Sequence, residues 1–226
     1  MLGADAKALE LRCLAGYLAA YDQGEYAKVV IDPDSDIHVY NQMKFGVATR
    51  DISKRLLYAM MYGAGNAKAG SIIKPEEKRE DVLRNIGRTT ISAFLDGLPA
   101  FRQLKQQIEQ VVGDRGHLRG LDGRLLHCRS SFAALNVLLQ SAGAVIMKKM
   151  VVLMHQKLET DGLIYDKDWV QLLQVHDEVQ LACIPEKAER IQELVLQSFV
   201  EAGEAFSFKC LIEGDARTGA NWALTH

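Results

Sequence analysis

Strand-like segments stand near both ends of this sequence, and the patterns between them are mostly helical. A short strand is predicted around Asp5, a strand or hairpin over Trp169–Cys183, and a last strand around Phe208–Ile212 before a polar tail. A turn-rich stretch with four glycines, residues 113–123, leads into a hairpin strand at Arg124–Arg129. Strands placed at the ends with helices segregated between them are typical of an α+β fold, which we therefore predict.

The helices are predicted from apolar periodicity and from their end signals. Thr49 is a good N-cap and Gly63 stands where a helix stops, so Thr49–Tyr62 is the clearest helix. A long amphipathic helix is predicted over Ala133–Leu158. Its predicted core side carries Leu135, Leu138, Leu139, Ala142, Val145, Ile146 and Met150. The other predicted helices span Leu9–Tyr21, Pro75–Ile86, Pro99–Val112 and Pro185 to about Phe206, with loops at residues 22–24 and 32–36.

The composition is that of an ordinary globular protein, with 48% hydrophobic and 25% charged residues in a chain of 226. Such a chain suits one large domain, or one domain with a subdomain. The sequence has no run of about 18 apolar residues, so a membrane span is not expected. The N-terminus has no secretory pattern. The net charge of −2 does not imply nucleic-acid binding, which would have to follow from a site. The cysteines are scattered without a CxxC pair, which predicts reduced, buried thiols in a cytoplasmic protein and no zinc site.

The segment Val175-His176-Asp177-Glu178-Val179 places charged residues inside an apolar, strand-like stretch. In a continuous strand Val175, Asp177, Val179 and Leu181 would share one face. A carboxylate on an apolar face is costly without a positive partner, and a divalent metal is the strongest such partner. The alternative is a surface hairpin with a charged tip.

Asp5 and Asp177 could meet on adjacent strands of one sheet, although their spacing alone cannot show it. Paired carboxylates can hold two Mg²⁺ ions for phosphoryl transfer, because Mg²⁺ needs few protein ligands beside water and substrate phosphate.

The helix from Thr49 carries Arg50, Lys54, Tyr58 and Tyr62 at successive spacings of four, which places them along one face. Cations at a helix N-terminus are unfavourable by themselves, but they suit a docked polyphosphate, with the rings left to stack on a base. The alternative is a solvated face with tyrosines partly packed in the core.

Asn136 and Gln140 are polar residues at i and i+4 in the long, otherwise apolar helix. They predict either a hydrogen-bonded pair inside the core or two amides that reach base edges in the minor groove of DNA.

Three separated blocks resemble those of the family A DNA polymerases. They are DAKALELR at residues 5–12, RDISK through Tyr58 to YGAG at residues 50–65, and VHDE at residues 175–178. Residues 134–144 and the closing Asn221-Trp222-Ala223 resemble the branch of replicative polymerases from T-odd phages. The blocks occur in the order of the family and cover essentially the whole chain.

The resemblance implies a polymerase palm, an antiparallel sheet with helices, and a helical fingers subdomain. The palm is expected at residues 1–45 and 121–226 and the fingers at about 46–120, without a thumb or exonuclease domain. The chain begins four residues before Asp5. It is therefore expected to be a piece of a longer protein, one half of a split polymerase whose partner chain carries the thumb, or a remnant.

The resemblance also implies roles for individual residues. Two Mg²⁺ ions would be bound by Asp5, Asp177 and the carbonyl of Ala6. The incoming nucleotide would be bound by Glu10, His38, Arg50, Lys54 and Tyr58. The primer-template would be contacted by Tyr62, Asn136, Gln140, His176 and Glu178.

Within that set, Lys54 would protonate the leaving pyrophosphate and Glu10 would exclude a 2′-hydroxyl. The alternatives are a surface or capping His38 and a solvated Glu10. Lys7 replaces the family's usual serine, and it would repel a metal ion, reach a phosphate or point to solvent.

These residues predict a DNA-directed DNA polymerase that adds deoxynucleoside triphosphates to a primer, in the cytoplasm of a bacterial host and without a membrane. One alternative is a non-catalytic DNA-binding or assembly subunit derived from such a polymerase. Another is a metal phosphohydrolase built on His176 and Asp177.

Overall fold

The computed structural model describes residues 1–225 and has the predicted α+β fold. The helices are α1 (Leu9–Asp22), α2 (Glu25–Ile31), α3 (Ile37–Phe45), α4 (Arg50–Met61), α5 (Asn66–Ile73), α6 (Glu80–Gly97), α7 (Pro99–Arg115), α8 (Ala134–Thr160) and α9 (Ala188–Glu204). The strands are β1 (Leu2–Ala6), β2 (His117–Arg119), β3 (Leu125–His127), β4 (Trp169–Val175), β5 (Glu178–Cys183) and β6 (Gly214–Thr218). Short 3-10 turns occur at Ser131–Ala133, Pro185–Lys187 and Trp222–Leu224.

The chain divides into two compact units, which differ from the division expected near residues 45 and 120. The sheet unit contains residues 1–13 and the chain from residue 141 onward, and the helical unit contains residues 14–140. Both α1 and α8 therefore begin in one unit and end in the other.

The sheet unit is organised around β1. This strand pairs antiparallel with β5 on one side and with β6 on the other, in the order β4-β5-β1-β6. The start of the chain is thus paired with two segments that lie far from it in sequence. Such non-local pairing costs loop-closure entropy, which the buried face of the sheet has to offset.

One face of this sheet is apolar and buried. Leu2 pairs with Leu181 and Ala4 with Val179, and all four are essentially inaccessible to solvent. Helix α9 packs against β1 and β6 on this side and contributes the buried Phe199. Because side chains alternate along a strand, the residues between these positions point to the opposite face.

The predicted strand at Phe208–Ile212 is wrong, and so is the polar tail. The strand at this end of the chain is β6, and residues 208–212 form an irregular segment. The buried Arg12 of α1 donates to the carbonyl of Leu211 and pairs with Glu213 at 2.7 Å. These tertiary contacts of Arg12 replace part of the hydrogen bonding that a strand ladder would supply to residues 208–212.

In the helical unit the aromatic core is formed by Phe45, Phe94 and Phe101. The rings of Phe45 and Phe94 stack with centroids 4.0 Å apart, and Phe101 meets Phe94 edge-on at 5.4 Å. These three residues join α3, α6 and α7. Together they bury a large apolar area, which contributes much of the stability of this unit.

Three short helices, α2, α3 and α5, were not predicted. Asp22 accepts hydrogen bonds from Gly24 N and Tyr26 N at the start of α2, and Asp36 accepts two at the start of α3. Both aspartates were assigned to loops, although the same side chains cap helices.

Two predicted helix starts are also wrong. Residues 75–79 form a turn in which Glu77 accepts from the amides of Lys78 and Arg79, so α6 begins at Glu80. Pro185 opens a 3-10 turn, and α9 proper begins at Ala188.

All four cysteines are free thiols, as predicted, but only two of them are buried. Burial raises the pKa of Cys13 to about 12 and that of Cys210 to about 11, which makes both poor nucleophiles. Cys128 and Cys183 are half-buried, so the prediction of four buried thiols is wrong for these two.

Helix α8, with the turn before it, is long and apolar enough to cross a membrane by length and composition. Half of its most apolar stretch is buried within the protein, and its seven predicted core residues are all buried. A core helix of a globular protein passes the same test, so the pattern does not by itself indicate a membrane.

Helices α5 and α6 approach each other through two glycines, which leads to a test of the helical unit. A Cβ at Gly70 would lie 1.9 Å from Leu83 O, and one at Gly87 would lie 1.9 Å from Asn66 O. We expect Gly70→Ala and Gly87→Ala each to lower the free energy of unfolding by about 1–3 kcal/mol, because backbone would have to move. Urea unfolding followed by far-UV circular dichroism measures this.

The matched control is Gly113→Ala in α7, where a Cβ would meet no other atom. We expect this variant to be as stable as the parent or up to about 1 kcal/mol more stable, because alanine favours helix. Equal stability of all three variants would contradict the close packing of α5 on α6.

Candidate active site

The sheet brings Asp5 and Asp177 next to each other. Asp5 stands on β1 directly opposite Glu178, the first residue of β5. The amide of Ala6 donates to the carbonyl of Asp177 at 2.9 Å, which ties the β4–β5 turn to the end of β1. Asp5 is exposed and Asp177 half-buried, so an ion from solvent can reach this edge of the sheet.

His176 and Asp177 form the two-residue turn between β4 and β5, and Val175 pairs with Glu178 across it. The alternation predicted for a single continuous strand is therefore wrong, because the chain reverses at this point. Val179 and Leu181 do face the core, whereas Val175 is largely exposed.

His176 adopts a left-handed conformation, with φ of 52°. Glycine is the usual residue at this position of a tight hairpin, and a side chain there costs on the order of 1 kcal/mol. Retained strain of this kind is common at functional sites. The imidazole of His176 is exposed at the hairpin tip.

Two further residues of this site, Asp215 and Arg217 on β6, were not predicted from the sequence. Asp215 lies opposite Asp5 on the side away from Glu178, and Arg217 lies opposite Gly3. Directly opposed residues share a face of an antiparallel sheet. The polar–Ala–polar alternation at residues 215–217 is a strand signal that could have revealed them.

These residues form a carboxylate face, which we define as Asp5, Glu178 and Asp215. With Gly3, Arg217 and Thr225 they line a cavity of about 160 Å³. Three carboxylates side by side repel one another, and Arg217 supplies positive charge at the same cavity.

Within residues 1–225, no three His, Cys, Asp or Glu side chains lie so as to hold a metal ion by themselves. The site at Asp5 and Asp177 offers two carboxylates, which are hard oxygen donors, with a backbone carbonyl beside them. That donor set fits Mg²⁺, which keeps several waters and also takes oxygens from a substrate phosphate.

In the helical unit, α4 carries the second group of candidate residues. Thr49 caps the helix by accepting from Ile52 N at 3.2 Å, and the helix ends at Met61 before Gly63, as predicted. Arg50 and Lys54 are exposed on its first two turns. Their charges therefore add to the positive end of the helix dipole and favour an anion there.

The aromatic half of this helix face is less exposed than its cationic half. Tyr58 is half-buried, with its ring centroid 6.3 Å from that of His38, and Tyr62 lies just beyond the last helical residue with 51% of its surface exposed. The expectation of tyrosines packed partly in the core thus holds for Tyr58 more than for Tyr62.

Asp36 positions the cationic end of α4, a role that the sequence did not suggest. Its carboxylate accepts from the amides of His38 and Val39 at the start of α3, and from Arg50 Nε at 2.5 Å. Partial burial opposes ionisation of Asp36, but these hydrogen bonds and the charge of Arg50 outweigh it and lower its pKa. Asp36 therefore remains a fixed negative partner that orients Arg50.

His38 is buried, so the alternative of a surface or capping histidine is wrong. Burial lowers its pKa, and the charges of Arg50 and Lys54 lower it further, although Asp36 opposes them. The imidazole is therefore neutral at neutral pH. Its Nδ1 has no hydrogen-bond partner within the described residues.

The remaining candidates are spread over α1 and α8. Asn136 is half-buried and Gln140 is exposed, so an internal pair of amides inside the core is wrong. Glu10 lies half-buried in the first turn of α1. Lys7 is exposed, and its backbone amide donates to the carbonyl of Glu213.

The chain is similar in sequence to DNA polymerases of two phages. The DNA-directed DNA polymerases of Enterobacteria phage T3 and Escherichia phage T7 are 38% and 37% identical to the chain, over 99% of it. The chain spans about a third of the length of these curated relatives.

A solved structure has the same fold at low identity. It is the POL domain of Pol1 from M. smegmatis in complex with DNA primer-template and dNTP, with a TM-score of 0.78 and 18% identity over 99% of this chain and 40% of that one. The sequence also matches DNA polymerase family A across residues 1–224. The protein is thus a member of DNA polymerase family A.

Proposed function

We propose that this chain is the palm and fingers portion of a template-directed DNA polymerase, which adds deoxynucleotides to a primer 3′ end by two-Mg²⁺ phosphoryl transfer. The sheet unit is the palm and the helical unit is the fingers. The observation that carries the proposal is the closeness of Asp5 and Asp177 at one edge of a sheet, where Asp5 pairs with Glu178 and the amide of Ala6 donates to the carbonyl of Asp177, in a chain that belongs to a polymerase family.

Asp5 and Asp177 bind the cations, with the carbonyl of Ala6 as a further oxygen ligand. Mg²⁺ held by these oxygens would lower the pKa of the primer 3′-hydroxyl and neutralise charge on the departing phosphates. The exposed carboxylate of Asp5 and the half-buried one of Asp177 leave room for substrate oxygens. Glu178 adds negative charge beside Asp5.

Arg50 and Lys54 bind the triphosphate of the nucleotide, and Lys54 delivers a proton to the leaving pyrophosphate. The positive end of the α4 dipole supports both. His38, neutral and with an unpartnered nitrogen, is suited to donate a hydrogen bond to a phosphate oxygen without adding charge.

Six other side chains recognise the sugar and the DNA. Glu10 excludes a 2′-hydroxyl and Tyr58 packs against the ribose and base. The amides of Asn136 and Gln140 contact minor-groove acceptors, which every base pair presents. Tyr62 and His176 contact the template base and the primer end, and each of them is largely exposed.

The proposal is tested by primer extension with the purified chain, Mg²⁺ and all four deoxynucleotides at low salt. We expect Asp177→Asn to lower the extension rate by about 100-fold or more, because it removes a ligand charge where transition-state charge develops. The matched control, Asp166→Asn, changes an exposed turn aspartate with φ of 62° and should leave the rate unchanged. An Asp177→Asn variant that extends the primer at the parent rate would refute the metal assignment.

Lys54 and Arg55 are adjacent exposed cations on different faces of α4, which allows a second test. Lys54→Ala should lower the single-turnover extension rate by about 100-fold, because the proton donor to the leaving pyrophosphate is lost. Arg55→Ala should change that rate little. Equal losses in the two variants would mean that bulk charge, and not the predicted helix face, binds the nucleotide.

Sugar selectivity tests Glu10. We expect Glu10→Ala to raise the ratio of ribonucleotide to deoxynucleotide incorporation by about 10-fold or more, since the carboxylate no longer fills the space of the 2′-hydroxyl. Competition between labelled nucleotides measures this ratio. The control is Glu25→Ala, which removes an exposed carboxylate from the first turn of α2. An unchanged ratio in Glu10→Ala would refute the steric role of Glu10.

A further inference from the structure

Glu178 is held by two side-chain donors that no part of the proposed reaction uses. Its Oε1 accepts from Trp222 Nε1 at 2.9 Å and from Gln180 Nε2 at 2.5 Å. Glu178 is 6% exposed, so its carboxylate has lost most of its hydration. Hydrogen bonds to a buried carboxylate are charge-assisted and are stronger than bonds between neutral groups.

The second donor is itself oriented. Gln180 is completely buried, and its Oε1 accepts from Thr225 Oγ1 at 3.0 Å. The same hydroxyl lies 3.0 Å from the carbonyl of Trp222. Because an ionised carboxylate can only accept, Gln180 turns its NH₂ group toward Glu178, which leaves its oxygen to accept from Thr225. Thr225 at the chain end thus supplies the partner of the amide oxygen.

Space for this arrangement comes from Gly3. Gly3 stands opposite Gln180 in the register, and a Cβ there would lie 2.3 Å from Gln180 Nε2 and 2.6 Å from the carbonyl of Thr225. No residue larger than glycine leaves both groups in place. Gly3 on β1 and the polar side chains of Gln180 and Thr225 therefore pack together beside the carboxylate face.

We propose that Trp222, with Gln180 and Thr225, is a positioning device: the segment after β6 folds over the sheet and fixes the carboxylate of Glu178 beside Asp5. The inference rests on the proposed function, because the orientation of the Glu178 carboxylate affects the reaction only through the cation site. Trp222 is a positioning residue and touches no reacting atom.

The geometry favours this role over simple packing of the chain end. The indole of Trp222 is 43% exposed, so its burial contributes less than that of a core tryptophan. Its polar edge, however, points at the carboxylate of Glu178, which has Asp5 directly opposite it on β1. Like charges at opposed positions of a sheet repel, and the N–H donors hold the Glu178 side chain beside Asp5 against that repulsion.

The hydrogen bond is tested directly by NMR on the metal-free chain labelled with ¹⁵N-tryptophan. Trp169 and Trp222 are the only tryptophans, so two indole signals are expected, and Trp222→Phe assigns them. We expect Glu178→Gln to shift the Trp222 indole proton upfield, because the acceptor loses its charge, and Gln180→Met to shift it as well. The Trp169 signal, whose N–H faces the carbonyl of Leu163, should stay in place.

The consequence for the cation site is tested by binding of Mn²⁺ alone, measured from the electron paramagnetic resonance signal of the unbound ion. Trp222→Phe keeps an aromatic ring and removes the N–H. We expect it to weaken Mn²⁺ binding by about 10-fold, as loss of an outer-shell partner does, because Glu178 no longer holds its negative charge beside Asp5. Leu224→Ala, an exposed change in the same 3-10 turn, should leave binding unchanged. Thermal melting of each variant shows whether it is folded.

The outcomes separate the inference from the proposed function. Mn²⁺ binding that survives Asp5→Ala and Asp177→Ala, or is absent from the parent chain, would overturn the proposed function and the inference with it. Mn²⁺ binding that needs both aspartates but is equal in Trp222→Phe and the parent would overturn the inference alone. So would a Trp222 indole signal that does not respond to Glu178→Gln.

Discussion

The pairing of β1 between β5 and β6 is the constraint on which the rest of the sheet unit depends. It brings the first residues of the chain beside segments that lie far from them in sequence, and its register places Asp5 between Glu178 and Asp215. A slip of one residue would send Asp5 into the core and Ala4 to the carboxylate face. Burial of Leu2, Ala4, Val179 and Leu181 on the other face makes such a slip costly, so apolar packing specifies the geometry of the polar site.

Charge is separated in this chain in a way that its net charge of −2 hides. The sheet unit places three carboxylates on one face, whereas the helical unit places Arg50 and Lys54 at the start of α4, where Asp36, the N-cap of α3, bonds to Arg50. Local fields, and not the overall balance, decide which ions approach each surface. Arg217 and the N–H donors to Glu178 offset part of the repulsion at the carboxylate face, and a cation beside Asp5 and Asp177 would offset more of it.

Much of the fold could be predicted where a pattern is local. Local patterns marked both ends of α4, the apolar flanks of the β4–β5 hairpin and the periodic core side of α8. The misses share a physical cause: α2 and α3 are short and depend on capping by Asp22 and Asp36, and α5 depends on contact through Gly70. Residues 208–212 have strand propensity but are satisfied by Arg12, a tertiary contact that propensity cannot reveal.

The sequence predicted the chemical character of the candidate site but not all of its residues. Asp5, Asp177 and the face of α4 were found because their chemistry is conspicuous in the sequence and because the blocks resemble a known family. Asp215, Gln180 and Thr225 act only through register and folding of the chain end, which no local pattern encodes. The last strand was predicted six residues too early, and so the segment that holds Glu178 was taken for a polar tail.

Joint binding of divalent cations by Asp5 and Asp177 can be seen by anomalous X-ray diffraction from crystals of the chain with primer-template, an unreactive deoxynucleotide analogue and Mn²⁺ in place of Mg²⁺. If the two aspartates bind the cations for phosphoryl transfer, anomalous peaks will lie in contact with both carboxylates and with phosphate oxygens of the analogue. Peaks elsewhere, or a bound analogue with no peak at these aspartates, would rule this binding out.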